Sequence, residues 1–271
     1  MKIGTLDITN CKIGSTQVNE IRIGSTLVWQ FSSLDPDAQA FITAAGITNP
    51  TQQTAINTLV VSLKGYGIWT KMKAIYPMVG GTNAQHAWNL KNTAQYKITW
   101  YGGVSSSSNG ITGNGSNGYG DTFLNNNVMA ADSVHLSIYT PAIATVFGSV
   151  IGSWANLFGS NIYSKPNPST QINTHGSRIN FTPFNAGFIL VKRPNLTQIL
   201  IQRNNSITTH SLSFNSYIGT SFKLLRTGDF NGEYTNENIR FSSIGDNLTD
   251  TESTNLYTAV QTFQTTLGRQ V

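Results

Sequence analysis

The sequence predicts a mostly β protein: an antiparallel sandwich, preceded by a small β-meander and a two-helix segment and closed by a C-terminal helix. Three observations predict it. From about residue 81 to residue 247, short apolar runs alternate with Gly, Asn and Ser clusters, the spacing of an all-β domain. Two stretches with helical periodicity and capping residues precede that region, and a third follows it. Charged residues make up only 11% of the 271 residues, and the net charge is +5. The polarity is carried by Asn, Ser, Thr, Gln and Gly, so the surface is one of amides and hydroxyls. A chain with so little net charge per residue is not expected to be globally disordered.

The first thirty residues repeat a motif at a ten-residue period: Lys2-Ile3-Gly4-Thr5, Lys12-Ile13-Gly14-Ser15-Thr16 and Arg22-Ile23-Gly24-Ser25-Thr26. Ten residues accommodate one short strand and one tight turn. Gly accepts positive φ in that turn, and Ser and Thr bond to the local backbone. A three-strand meander this small buries too little apolar surface to stand alone. Residues 1–31 are therefore expected to dock to a larger assembly or to copies of themselves, through Ile13, Val18, Ile21, Ile23, Val28 and Trp29. The competing assignment is an ordinary N-terminal sheet of the main domain.

The period then changes. Asp35-Pro36-Asp37 places a capping carboxylate before a Pro at the first helical position, and Ala38, Phe41, Ile42 and Ala45 follow at helical spacing up to Gly46. Asn49-Pro50-Thr51-Gln52 repeats the device ahead of Ala55, Ile56, Leu59, Val60 and Leu63. Residues 32–80 thus read as a helical connector, with a further helical turn within 67–77. Residues 81–271 read as the sandwich, with strands at 97–101, 134–139, 187–191, 198–202 and 240–244. Gly102 to Gly120 reads as one long loop, functional or mobile. Thr249-Asp250-Thr251-Glu252 is a capping box opening a helix over 250–268, with Leu256, Val260, Phe263 and Leu267 on one face.

Asn117-Gly-Tyr-Gly-Asp-Thr-Phe-Leu-Asn125, Ser133-Val-His-Leu-Ser-Ile-Tyr139, and the closing Phe241-Ser-Ser-Ile-Gly-Asp-Asn-Leu-Thr-Asp-Thr-Glu252 with Asn255 to Gln264 form a set of segments. This set resembles bacteriophage virion proteins that carry a concanavalin A-like (laminin G-like) lectin domain. Residues 37–48 and 63–77 are similar to the helical lead-in of that group, and the Ile-Gly-Ser-Thr repeat to short N-terminal stretches of phage structural proteins. The resemblance implies a concanavalin A-like jelly roll on a tail, fibre or spike, with other virion proteins and host cell-surface carbohydrate as partners. It also implies a homo-oligomer located in the virion, made in the host cytoplasm and released by lysis. The chain opens with no secretory signal pattern, and no apolar run reaches the roughly eighteen residues of a membrane span, so membrane insertion is not expected.

Enzymatic chemistry finds little purchase. Hydrolases of this fold class carry a Glu-x-Asp-x-Glu strand, which is absent here. The nearest carboxylates, Asp229, Glu233 and Glu237, are four apart, roughly 13 Å along a strand and too far to act as a pair there. No Gly-x-Ser-x-Gly elbow presents a nucleophile to any of the four histidines, and His135 reads as a strand position. One cysteine, Cys11, excludes an intrachain disulfide and Cys-based zinc sites. Asp121 with Asn125 and Asn127 is a weak offering to calcium, so neither metal nor cofactor is expected. The seventeen Lys and Arg are scattered, which argues against nucleic-acid binding.

Sugar recognition needs an aromatic face for the apolar side of a ring and planar polar groups for its hydroxyls. The candidates are Trp100, Tyr101, Tyr119 and Trp154 with Asn114, Asn117, Asp121 and Asn156; core packing is the competing assignment for each aromatic. The expected function is non-enzymatic receptor binding through host glycan. A purely structural capsid or spike role and a glycan hydrolase are the alternatives.

Overall fold

A computed structural model describes residues 2–3, 6–7, 12–13, 15–18, 20–30, 34–142, 145–155, 158–164, 170–174, 177–181, 186–213, 219–227 and 233–271. The chain divides into two compact units, Met1–Asp35 and Pro36–Val271.

In the first unit, each ten-residue repeat closes on itself. Strands β1 (Lys2–Ile3) and β2 (Leu6–Asp7) pair, as do β3 (Lys12–Ile13) with β4 (Thr16–Gln17) and β5 (Glu20–Ile23) with β6 (Thr26–Gln30). The repeat is thus a hairpin, not one strand of a continuous meander. Ile23 pairs with Thr26 across Gly24-Ser25, and Gly24 has φ +62. Positive φ at the first position of a two-residue turn matches the twist of the strands it joins, which closes the chain back after two residues rather than ten. Ile13 and Ile23, each just before the turn, are 77% and 72% exposed, and Ile21 and Val18 are half-buried. Val28 and Trp29 lie in β6, where Trp29 pairs with Ile21.

The second unit opens with helices α1 (Pro36–Ala45) and α2 (Pro50–Gly65). Asn49 caps α2 as its residue type predicts: its side chain accepts from Gln52 N at 3.1 Å. The further helical turn expected within 67–77 is a single 3-10 turn, Trp69–Lys71, followed by strand β7 (Met72–Tyr76). The expected boundary at residue 80 therefore falls inside this unit, because Met72–Tyr76 is buried and pairs with the strand that closes the sheet.

A short helix, α3 (Asn83–His86), is followed by β8 (Thr99–Tyr101), β9 (Ser105–Ser107), β10 (Gly110–Thr112), β11 (Tyr119–Asn125), β12 (Val134–Thr140), β13 (Gly148–Ala155), β14 (Phe158–Ser164), β15 (Thr170–Thr174) and β16 (Ser177–Phe181). Then come β17 (Gly187–Asn195), β18 (Gln198–Arg203), β19 (Ser206–Ser211), β20 (Ser221–Leu224), β21 (Asn238–Ile239), β22 (Phe241–Gly245) and helix α4 (Asp250–Thr266). All pairings are antiparallel. One sheet runs β19-β18-β17-β12-β22-β7, a second β16-β15-β14-β13-β20-β11-β8, and a small third β21-β10-β9. The expected loop from Gly102 to Gly120 holds the β9–β10 hairpin. Gly110 (φ +116) is needed there: a Cβ on it would sit 2.3 Å from the Ile239 carbonyl oxygen of β21.

The main core lies between the two large sheets. Leu136, Ile138, Ile189, Val191, Ile199, Ile201 and Ile244 of the six-stranded sheet meet Leu124, Val150, Ile151, Ile162, Phe222 and Leu224 of the seven-stranded sheet. The six-stranded sheet is covered on its other face as well, which is why β12 and β22 are buried at every position. Strands covered on both faces lose the polar alternation of a half-exposed sheet. Helix α4 provides that cover. Phe241 and Phe263 make an edge contact at 6.4 Å, Phe188 meets Tyr257 at 5.8 Å, and Lys192 Nζ pairs with Asp250 at 2.6 Å. Helix α2 packs on α4 in turn. The capping box is formed, with Thr249 and Glu252 exchanging side-chain and backbone bonds of 3.1 and 2.7 Å. No helix among the described residues is long and apolar enough to cross a membrane.

Candidate functional site: an aromatic platform on the open sheet

With helices on the six-stranded sheet, the outer face of the seven-stranded sheet is the large β surface left for a ligand. Register decides which residues stand on it. Gly120 pairs with Trp100 and Leu224, and Leu224 with Ile151, all in line on the core side. One residue away in either direction, Tyr119 pairs with Tyr101, and Asp121 with Thr99 and Lys223. These belong to the outer face, since successive side chains of a strand alternate.

Tyr101 and Tyr119 stack there, ring centroids 4.8 Å apart and planes 16° from parallel. Tyr101 is 41% exposed, and Phe123, two positions beyond Asp121 on β11, is 54% exposed. Tyr234 tilts against Tyr119 at 6.1 Å. The Arg226 guanidinium lies 4.8 Å from the Tyr119 ring centre and 5.3 Å from that of Tyr234. Arg226 reaches this face through a phase shift in the backbone. Phe222 and Leu224 point into the core, Leu225 does so too with φ +68, and Arg226 emerges on the outside. Left-handed backbone is costly for leucine. Here the fully buried side chain holds it in place.

Asp121 is consumed by its neighbours. Its carboxylate pairs with Lys223 Nζ at 3.2 Å, accepts from Ser221 Oγ at 2.7 Å and from Phe123 N at 2.9 Å. Lys223 Nζ also donates to Ser221 Oγ at 3.0 Å. This closed group is neither a free sugar ligand nor the start of a calcium site. Among the described residues no cluster of His, Cys, Asp and Glu is placed to hold a metal.

Asn114 and Asn117 turn out to be loop architecture. The Asn114 Oδ1 accepts from the backbone N–H of Ser116, Asn117 and Gly118 at 2.9–3.0 Å, and its Nδ2 donates to Asn117 Oδ1 at 2.7 Å. Asn117 Oδ1 also accepts from Gly103 N at 3.0 Å. Together they clamp the loop that carries Tyr101 and Tyr119 into register.

Trp100 leaves the candidate set, because its ring packs on the core cluster and lies over Gly120. A Cβ on Gly120 would sit 2.5 Å from the Trp100 ring and 2.7 Å from Ile98 Cγ2. Gly120→Ala is therefore expected to destabilise the protein by about 1–3 kcal/mol, measured by chemical denaturation. Wild-type stability in that variant would show that the ring moves freely. Trp154 lies in β13, in register with Gly159. Asn156 lies outside the described residues.

Arg226 and Tyr234 were not legible as site residues. The available signal was Gly228-Asp229 and Asn231-Gly232 between two β-like runs, the mark of a hairpin that sets Arg226 opposite Tyr234. The two are bridge partners, flanked by Thr227 N→Glu233 O and Thr235 N→Leu225 O, both 3.2 Å.

No protein-family model and no curated protein matches the chain. Solved structures do match. The binding domain of botulinum neurotoxin DC in complex with rat synaptotagmin II is 14% identical, with a TM-score of 0.53 over 72% of this chain and 52% of that one. A structure showing that cell entry of botulinum neurotoxin type C depends on two ganglioside molecules is 15% identical, TM-score 0.52, over 72% and 53%. A Trypanosoma rangeli sialidase mutant with trans-sialidase activity is 8% identical, TM-score 0.50, over 78% and 39%. What is shared is the antiparallel β-sandwich. The chain spans about half the length of the neurotoxin domains it matches, and less of the sialidase.

The carboxylates named for a hydrolase are spoken for where they are described. Glu237 is 2% exposed, and its Oε1 accepts from the Thr140 hydroxyl. Glu233 Oε2 accepts from Thr227 Oγ1 at 2.6 Å. Asp229 lies outside the described residues.

Proposed function

We propose that the chain is a non-enzymatic bacteriophage virion protein, a receptor-binding spike or tail component that recognises host surface glycan. The observation that carries the glycan reading is the Tyr101–Tyr119 stack, with exposed Phe123 four positions along β11 from Tyr119, on the sheet face that no described helix covers. The exposed rings of Tyr101 and Phe123, carried on paired strands, offer a sugar a rigid apolar surface at little entropic cost. The ganglioside dependence of a neurotoxin with this sandwich supports the same reading. The phage assignment rests on the motif resemblance of residues 117–125, 133–139 and 241–264. In this reading, the N-terminal hairpins dock the protein to its particle through Ile13 and Ile23, large apolar side chains exposed at the tip of two successive repeats. Several copies on one particle then raise weak single-site binding through effective concentration.

The test is binding of the fluorescently labelled full chain to a glycan array and to candidate host cells, beside Tyr119→Ala. The variant is expected to lose about tenfold or more in affinity, because the Tyr119 ring supports both the exposed Tyr101 ring and the Arg226 guanidinium. A folded chain that binds no carbohydrate, or binds equally well without the Tyr119 ring, overturns the reading in favour of a purely architectural role.

A further inference from the structure

We propose that the platform takes a carboxylated sugar, a uronic or sialic acid residue, and that Arg226 receives the carboxylate. The inference rests on the glycan-binding reading and goes on to name the chemical class of the ligand.

Arg226 is the exception among the described charged groups around the tyrosine stack. Lys223 is neutralised by Asp121. Glu233, next to Tyr234, turns its carboxylate to Thr227. Arg226 is half-buried against two tyrosine rings, makes no ion pair with a described residue, and its Nε is buried without a hydrogen-bond partner among the described residues. Withdrawing a guanidinium from water without a counter-charge is unfavourable unless another group compensates. Ring faces compensate part of the charge but accept no strong hydrogen bond. The guanidinium is therefore held against Tyr119 and Tyr234, and no described residue supplies its Nε with an acceptor.

The rings also fix what fits. A guanidinium resting against aromatic rings keeps its in-plane N–H donors for a ligand, since the rings accept no strong hydrogen bond. The Tyr101–Tyr119 stack lies immediately beside it and shares the Tyr119 ring. A ligand that uses both must carry a planar anion attached to a body able to rest on an aromatic face. A sugar ring bearing a carboxylate has that form, and a carboxylate accepts two parallel N–H bonds from arginine. The neighbouring Asp121–Lys223–Ser221 group adds no net charge, so the preference for an acid lies with Arg226.

The experiment uses the full chain and matched pairs of probes: 3′-sialyllactose against lactose, and oligogalacturonate against its carboxyl-reduced form, with a sulfated neutral oligosaccharide as a third arm. At least one acid is expected to bind about tenfold or more better than its neutral partner, the worth of a charge-assisted hydrogen bond. Arg226→Gln should bring the acid and neutral forms within about twofold of one another, and Arg226→Lys should give an intermediate preference, because it keeps the charge and loses the fork. Tyr119→Ala should weaken both members of a pair. If acid and neutral sugars bind alike and Tyr119→Ala still abolishes binding, the platform stands and the carboxylate assignment falls. A sulfated sugar that binds as well as the carboxylated one also overturns it, in favour of general anion attraction. If no probe binds the folded chain, the glycan reading and this inference fall together. Circular dichroism and the denaturation midpoint confirm that each variant is folded.

Discussion

Replacing Arg269 with Met is expected to lower stability by about 4 kcal/mol or more, a large share of what holds a single domain together. Arg269 is 3% exposed, and its side chain ties five groups to one point. Nε donates to Gln264 Oε1 at 3.0 Å, Nη1 to the carbonyls of Met78 and Ser108 at 2.8 and 3.1 Å, and Nη2 to those of Pro77 and Arg240 at 3.3 and 3.1 Å. Those carbonyls belong to the chain leaving β7, the β9–β10 turn and the start of β22. One guanidinium therefore pins the end of α4 to three segments of the sandwich. Methionine has comparable reach and no donors, so it leaves several acceptors buried and unpaired, each at roughly 1–3 kcal/mol before relaxation. Lysine has three donors in a different geometry and should recover only part of the loss. The measurement is urea denaturation of the three proteins at one pH. A Met variant within 1 kcal/mol of wild type, a bound set by the size of a single net hydrogen bond, would mean that water reaches those carbonyls and that the cation's burial cost had cancelled its bonds.

The helices were legible because their signals are local. Asn49-Pro50 and the Thr249–Glu252 box specify an N-terminus within four residues, and the stripes behind them need only a period of 3.6. Strands were legible at 134–139, 187–191 and 198–202 as apolar runs between turn residues, and the structure extends them to Val134–Thr140, Gly187–Asn195 and Gln198–Arg203. What sequence could not supply was pairing. Within residues 67–77 the expected helical turn is the single one at Trp69–Lys71, and only pairing with β22 shows that Met72–Tyr76 is a strand. Gly102–Gly120 looked structureless because β9 is three serines, whose strand geometry comes from β10 rather than from propensity. The site shows the same division. A loop rich in turn residues points to Tyr101 and Tyr119, but only register reveals that Trp100 faces inward and Tyr101 outward. Arg226 arrives through the left-handed Leu225, and no periodicity announces such a break. A loop-clamping amide and a sugar-binding amide are the same residue in a sequence, and only the structure shows the bonds that Asn114 and Asn117 make within their loop.

Acid should unfold this protein well before its carboxylates titrate, through two histidines that are buried neutral. His135 is fully buried between the six-stranded sheet and α4, its Nδ1 2.6 Å from the Asp246 carbonyl oxygen and its Nε2 3.2 Å from Ser243 Oγ, which meets Ser137 Oγ at 2.6 Å. Burial lowers its pKa to about 4, against the opposing pull of the Asp246 carbonyl, and the cations of Lys192 and Lys71 add to the lowering. His86, at the end of α3, is 1% exposed, and neither ring nitrogen has a hydrogen-bond partner among the described residues. Burial, and after it the Arg269 cation, lowers its pKa to about 4 as well. In the unfolded chain both titrate near 6.5, so between pH 6.5 and 4 the unfolded state binds more protons than the folded one. Stability is complete above that window and falls as pH drops through it, by about 3 kcal/mol for each histidine. Glu252 acts later: burial would raise its pKa, but the hydrogen bond from Lys71 and the cap bonds outweigh it, so its share is lost only below its ordinary value of 4.5. Denaturation midpoints at pH 7.5, 6.5, 5.5 and 4.5 should show a slope approaching two protons. His86→Leu and His135→Gln should each remove about one of them. A double variant that keeps the full slope would assign the acid sensitivity elsewhere. The Arg269→Met variant provides a cross-check, since removing that cation should raise the pKa of His86 and leave that of His135 where it was.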